Sequence, residues 1–445
     1  MTLSGCCAGE PGRRGRATGA KRSSCLGEQP IGASMTATDD EPAPVRTPLR
    51  RALNRSGFRR LFAAQTISRW GDTFSSVALV ILVYRLTGSG VRVAGVVALE
   101  IIPVVLFGFV AGAVVDRVSR KQVMIAADIG RAVVAVSLTV FHDQLAAVYL
   151  SAFLLSSLSV FFNPAAASAL PDLVDDDEIV GANSAVWSAA VVSQIALAPL
   201  AGALVAIAGP GPAFGINAAS FLISAALLRG LPISARPARA PSRHITDITE
   251  GLRAIATSRF LRALAGVQGL AALSAGATSA LLVVLAEEHL DVGAGQFGLL
   301  IGAIGVGAGI GPLVLQRVIA DVRRPWLLFG PYLLRGVVDL VLAAISSFAV
   351  ALGALALYGV GTSTGNVTYN SVLQLTMPER LRGRVFAFYD VVWQSARLLS
   401  IGIGGVAADR YGVTAVYWAG GVLLLAAGLL GLTRAGTIPP ATPKP

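Results

Sequence analysis

Long apolar runs separated by short charged connections set the pattern of this chain between residues 58 and 433. Each run holds roughly 20 residues, the length a helix needs to cross the hydrocarbon core of a bilayer. The pattern predicts about twelve spanning helices. In the first half they cover 60–84, 92–115, 121–141, 145–169, 179–208 and 213–231. In the second half they cover 260–286, 295–319, 326–345, 348–376, 384–408 and 413–433. Pro and Gly recur inside these runs, as spanning helices tolerate. Outside them, residues 1–57 are rich in Gly, Arg, Ser and Pro, lack periodicity and read as a disordered tail, with Met35 an alternative start. Residues 435–445 read as a short C-terminal tail.

The charged connections orient the helices. Arg117, Arg120 and Lys121, the basic stretch 234–257, Arg323 and Arg324, and Arg380, Arg382 and Arg384 all fall on one side. The other side holds mainly Arg85, Arg92 and Arg410, beside Glu287, Glu288 and Asp291. Lys and Arg concentrate in cytoplasmic loops, so both termini are expected in the cytoplasm and the chain in the cytoplasmic membrane. The loop from Asp172 to Glu178 is acidic although this assignment puts it inside; acidic residues carry little weight in the rule.

Composition agrees with a membrane protein: 54% of residues are hydrophobic and 14% charged, and the mean hydropathy is +0.69. The net charge of +11 could suggest nucleic acid, but the cations lie between apolar runs rather than on one surface. They fit topology signals and lipid headgroups, not nucleic acid. Cys6, Cys7 and Cys25 all precede the first apolar run, so no disulfide staples the spanning body.

The halves repeat one another. Phe58 and Arg60 match Phe260 and Arg262 at a common offset, as do Ser76, Ala78 and Leu79 with Thr278, Ala280 and Leu281. Asn163 and Pro171 match Asn370 and Pro378 at an offset only slightly larger. This predicts an all-α integral membrane fold of two pseudo-symmetric six-helix bundles, 58–233 and 258–434, joined by the linker 234–257.

Between the second and third runs stands Gly112-x-x-x-Asp116-Arg117-x-Ser119-Arg120-Lys121. It resembles the signature loop of the major facilitator superfamily at nine of ten positions; Ser119 stands where that loop usually has Gly for a positive-φ turn. Leu170-Pro171-Asp172-Leu173-Val174 with Ala182-Asn183, Ser68-x-x-Gly71-Asp72, and Pro378-x-x-x-Arg382-Gly383-Arg384 are similar to loops and the first helix of the enterobactin-exporter-like and macrolide-efflux-like branch. The antiporter motif of helix five survives only as Ala198-Pro199-Leu-Ala-Gly202-Ala203, and the arginine that many drug antiporters carry in helix four is absent. The resemblance implies a monomeric secondary transporter working by alternating access, with a small-molecule substrate, protons and membrane lipids as partners. It implies no cofactor. Gly112, Asp116, Arg117, Arg120 and Lys121 become gating candidates: Asp116 and Arg117 as an inner latch between the halves, Arg120 and Lys121 as topology signals.

Charges inside spanning helices point to function because each is costly there. Arg69 and Asp72, Asp128 and Arg131, and Arg335 and Asp339 are spaced so that each pair shares a helix face and can neutralise itself. Asp390 and Arg397, two turns apart, could bridge through water. Glu100 has no cation nearby in sequence except Arg92. Asp72 and Glu100 are the leading proton-coupling candidates, with Asp128 and Arg131 behind them. Uncharged cavity candidates are Asn163, Gln194, Gln268, Asn366, Asn370 and Gln374, joined by Arg69, Asp390 and Arg397. For Asn163 and Asn370, bonding to a neighbouring helix is the favoured expectation.

No enzyme site is visible. His142, His244 and His289 lack metal-ligand spacing, and no phosphate-binding Gly-x-x-x-x-Gly-Lys-Ser/Thr loop is present. The glycines from Gly302 to Gly311 fit close helix packing better than dinucleotide binding. The expectation is export of an amphipathic siderophore, macrolide or other drug by proton antiport. The alternatives are uptake, lysophospholipid flipping, or a transporter-derived receptor without flux.

Overall fold

In a computed structural model the described residues are 48–175, 178–233, 253, 255–318, 324–377 and 379–434. The expected N-terminal tail up to residue 47, most of the basic linker, Arg323, Pro378 and the C-terminal tail lie outside them. After a short helix, Pro48–Asn54, come twelve long helices. The first six are α1 (Ser56–Thr87), α2 (Gly90–Arg117), α3 (Arg120–Phe141), α4 (Leu145–Ala169), α5 (Ile179–Ala208) and α6 (Gly211–Arg229). The second six are α7 (Arg259–Ala280), α8 (Ala294–Val318), α9 (Pro325–Ala344), α10 (Phe348–Thr376), α11 (Glu379–Tyr411) and α12 (Val413–Arg434). Beyond α7 the chain continues through Leu282–Val284 and a π-helical turn, Leu285–His289.

Eleven of these helices are long and apolar enough to cross a membrane. The exception is α1, which is 32 residues long. It carries Arg59, Arg60, Arg69, Asp72 and Arg85, so its charges rather than its length set it apart. Predicted and observed helices otherwise coincide closely. The expected turn at Ser119 differs: its φ is −57°. A negative φ there needs no glycine, which explains why Ser is accommodated.

Helices pack chiefly within each set of six, α1 on α6 and α3 on α6 in the first, α8 on α10 and α9 on α12 in the second. Gly71 shows how closely: a Cβ there would stand 2.5 Å from the Asn217 side-chain oxygen of α6. The halves meet along two crossings, α2 with α11 and α5 with α8. Glycine makes the second crossing tight. A Cβ at Gly298 would lie 2.5 Å from the Ala198 carbonyl oxygen and 3.0 Å from Pro199 Cα, and one at Gly302 would lie 2.9 Å from Pro199 Cγ. Gly307 and Gly311 make the same approach to α10. The glycine run is thus a packing surface, as its pattern predicts.

The twelve-helix count brings the start of α1 and the end of α12 to one end of the bundle, here termed the terminal end. One apolar core spans both halves at the opposite, far end, where Val77–Val83, Val93–Ile101, Ala277–Ala286 and Ile401–Ala408 contribute. At the terminal end the cores are separate. One comprises Phe58, Leu61, Met124, Phe162 and Leu228; the other comprises Phe260, Leu264, Phe329, Leu373 and Tyr389. Between described residues, the hydrogen bonds linking the halves all lie at the far end: Tyr84 Oη to Glu288 Oε1 at 2.9 Å, and three bonds onto Asp409. Among the described residues, the halves share one core and hydrogen bonds at the far end and have separate cores at the terminal end.

Candidate functional site

Charged side chains line up across the middle of the molecule. In the first half the Asp128 carboxylate, fully buried, pairs with Arg131 one turn along α3 and accepts from Ser224 Oγ of α6 at 2.6 Å. The Arg131 guanidinium lies 4.4 Å from the ring centres of both Phe162 and Phe221 and donates to Ser159 Oγ at 3.4 Å. The rings stabilise the cation through their negative faces. The i,i+3 pairing predicted for these two residues is present.

From Arg131 the row continues into the cleft. Asp72, midway along α1, lies within electrostatic range of Arg131 and Arg69. Asp72 and Arg69 are both exposed. Exposed charges halfway along a spanning helix face water rather than hydrocarbon, because lipid would not stabilise them. Arg69 and Asp72 do not close into an ion pair, so they remain accessible to solute.

Glu100 of α2 was expected to stand apart from cations. It does not: Arg397 of α11 lies within electrostatic range across the boundary between the halves, and Asp72 is also near. The correction has a simple cause, since the partner comes from the opposite half and no sequence spacing reveals it. Arg397 in turn faces Glu100 and Tyr358. It does not bridge to Asp390, which is exposed and has no charged partner among the described residues.

Tyr358 of α10 links the row to the second half. Its hydroxyl accepts from Arg335 Nη2 at 2.8 Å, and the guanidinium sits 4.7 Å from the ring centre. Arg335 and Asp339 were expected to neutralise each other. Arg335 instead turns to Tyr358, while Asp339 accepts from Ser274 Oγ at 3.3 Å, the two charges staying in electrostatic range. The row therefore runs Asp128, Arg131, Asp72, Glu100, Arg397, Tyr358, Arg335, Asp339, with a buried Asp–Arg couple at each end. Tyr358 was not anticipated. The signal that finds it is the duplication: α9 is the counterpart of α3, so its buried couple also needs an aromatic cover, and α10 supplies it.

The remaining candidates divide. Asn366, Asn370 and Gln374 are all exposed along one stripe of α10, as are Asn163 on α4 and Gln194 on α5. Asn370 donates to Asn366 O of its own helix at 2.8 Å. The expectation of interhelical bonding therefore fails for Asn370, because the stripe faces outward from its packing surface. Gln268 is buried and accepts from Tyr332 Oη at 2.9 Å, so it belongs to the packing of the second half and not to a cavity wall.

In the signature loop, Gly112 and Asp116 lie in the last turns of α2, and the Asp116 side chain lies outside what is described. Arg117 is exposed. Arg120 donates to Ser168 O at 2.7 Å and to Asp172 Oδ2 at 2.6 Å, and Lys121 donates to Leu231 O at 3.1 Å. Both cations thus tie the loop to the ends of α4 and α6 in their own half. The acidic loop that fitted poorly with its expected side has found its partners: Asp172 holds Arg120, and Asp175 and Glu178 hold Arg55.

The profile of the transmembrane secretion effector family, a branch of the major facilitator transporters, matches residues 47–439. The chain belongs to that family. Among relatives of this transporter is the multidrug efflux pump Tap of Mycobacterium tuberculosis, 26% identical over 399 residues, covering 86% of this chain and 94% of the relative. Another is the enterobactin exporter EntS of Escherichia coli, 26% identical over 359 residues, covering 78% and 83%. An auto-inhibited peptide transporter of the POT family shares the fold, with a TM-score of 0.71 at 14% identity, covering 87% of this chain and 98% of that one. The relatives are transporters and not enzymes, and the charged row lies where the two halves of such a transporter meet.

Proposed function

We propose that this transporter exports amphipathic small molecules by alternating access, driven by proton antiport. The observation that carries the reading is the junction of Asp72 and Glu100 facing Arg397 across the halves. Two carboxylates within electrostatic range repel when both are charged, and a proton bound by either one removes that repulsion. Arg397 attracts Glu100 only while Glu100 is charged, so proton binding weakens the attraction between the halves and release restores it. That ties protonation to the rocking of one half against the other.

In this reading the terminal end faces the cytoplasm and the protein stands open to it, ready to load. Substrate enters between the exposed amides of α10 and the charges of α1, which supports an amphipathic solute of the drug or siderophore class. The basic linker 234–257 joins the halves on the cytoplasmic side. Asp116 and Arg117 form the inner latch that closes once substrate is aboard, and Arg120 and Lys121 brace that loop from behind. The carrier works as a monomer.

Everted vesicles with an imposed proton gradient test the coupling. Wild-type protein should drive uphill movement of a fluorescent drug or an iron-free siderophore. Asp72→Asn and Glu100→Gln should abolish uphill movement while leaving downhill exchange. Gradient-driven transport retained in both variants overturns the proposal.

A further inference from the structure

Helix α2 begins at Gly90 with its positive end aimed at the other half. The first turn of any helix leaves backbone N–H groups without intrahelical acceptors and carries a partial positive charge. Its N-cap, Ser89, covers little of this, since Ser89 Oγ accepts from Arg92 N only at 3.4 Å. The rest of the cover comes from across the boundary. Asp409, in the last turn of α11, accepts from Gly90 N at 2.6 Å and Val91 N at 3.3 Å through Oδ1, and from Ser89 Oγ at 2.7 Å through Oδ2.

A carboxylate has the wrong sign for its own position at the C-terminal end of α11, where the helix dipole favours cations. It has the right sign for the N-terminus of α2. Two glycines permit the approach. A Cβ at Gly90 would stand 3.0 Å from Asp409 Oδ1, and one at Gly405 would stand 2.8 Å from Ala94 Cβ and 3.0 Å from Val91 Cα. The bond set therefore exists only while the far end is closed. When it opens, Asp409 is left against the negative end of its own helix and α2 loses its cap.

We propose that Asp409 is the far-end gating residue of this transporter, a carboxylate on one half that caps a helix of the other and holds the far end shut. It rests on the reading that the halves move relative to each other, but not on what is transported or what drives it. Charge-assisted bonds of this kind bias an equilibrium on the order of tenfold or more.

Spin labels at Asp143 and Ser346, exposed in the far-end connections of opposite halves, report the opening directly by pulsed electron resonance in lipid nanodiscs, with no transport step involved. Wild type should show one dominant short distance. Asp409→Ala should add a longer population, raising the open-to-closed ratio on the order of tenfold. Asp409→Asn should fall between.

Ser89→Asp separates latch from simple cap, because it gives α2 its own carboxylate while repelling Asp409. The latch requires Ser89→Asp to open the far end, and requires the double variant Ser89→Asp with Asp409→Ala to stay open. If the double variant returns to the closed distance, Asp409 is only a cap and the proposal falls. An unchanged distribution in Asp409→Ala also overturns it. Should Asp409→Ala fail to fold, Gly90→Ala, whose methyl crowds Asp409 Oδ1, must give the same long population or the idea is wrong.

Discussion

Removing Asp128 alone should damage the protein more than removing Asp128 and Arg131 together. Asp128 is fully buried, and Arg131 is 3% exposed. With Asp128→Leu, the guanidinium keeps two ring faces and a long bond to Ser159, while its Nε already lacks a partner. Two bonds to a charged group disappear, those from Arg131 and from Ser224. Each contributes about 1.5–3 kcal/mol. The ring contacts persist in the variant, so they do not offset the loss. Partial rotation of Arg131 toward Asp72 recovers some of it. The net cost should be about 3–5 kcal/mol, the range for stripping one partner from a buried pair.

The double variant Asp128→Leu with Arg131→Met places apolar groups of similar size in the same space. Its stability should return to within about 1 kcal/mol of wild type, since a well-packed apolar replacement for a buried pair is often neutral or better. Denaturation of purified protein in mixed micelles, run as a double-mutant cycle, measures the coupling. Additive losses, with the double variant less stable than either single one, would refute the account. Under the proposed coupling the rescued double variant should still fail to drive uphill transport, which separates the stabilising role of the couple from its place in the charged row.

Two further outcomes follow from the geometry. Gly298→Val should force α5 and α8 apart at the seam, because even a Cβ meets Ala198 O at 2.5 Å; spin labels at the far end should show lost closure, and wild-type distances would refute the seam's role. Burial pushes the Glu287 carboxyl above its ordinary value, with Arg85 opposing. A raised carboxyl favours the folded state at pH below its unfolded value and loses that contribution as pH climbs through its folded value. The Glu287 contribution to stability should therefore fall as pH climbs above about 4, and Glu287→Gln should remove that part of the slope in melting curves. An identical slope in the variant would count against it.

The fold was legible because a bilayer imposes a strong pattern: apolar runs of spanning length recur with charged connections, and the duplication shows through Phe58 and Phe260 or Asn163 and Asn370. The couple Asp128–Arg131 was legible for the same local reason, since i,i+3 spacing puts both on one helix face. What failed to show was everything carried by tertiary approach. Glu100 reads as solitary because Arg397 arrives from the other half. Gln268 reads as a cavity amide because nothing local announces Tyr332. Asn370 reads as a helix-to-helix bond, yet its nearest acceptor is its own helix. Nothing in the spacing of the chain singles out Asp409. One physical signal was available there: an acidic residue in a last turn opposes the dipole, and such a residue invites a search for a partner helix whose N-terminus it can serve.

These features meet on α2. Its C-terminal end carries Asp116 within the signature loop, and its N-terminal end receives Asp409 from α11. Because α2 and α11 cross between the halves, any rocking that separates one pair of their ends brings the other pair closer. If the proposed latch at Asp116 closes when the Asp409 bonds break, α2 behaves as a two-position lever held by a carboxylate at one end at a time. Glu100, midway along α2 and facing Arg397 on α11, sits near the pivot, where a small change in charge biases both ends. Under the proposed coupling, proton binding there would act on both proposed gates directly, because they are the two ends of the same pair of helices. This arrangement predicts that Asp409→Ala and Glu100→Gln act on one equilibrium. Their effects on the far-end distance distribution should then be coupled rather than additive, and strict additivity would mean that the gate and the proton site work through separate elements.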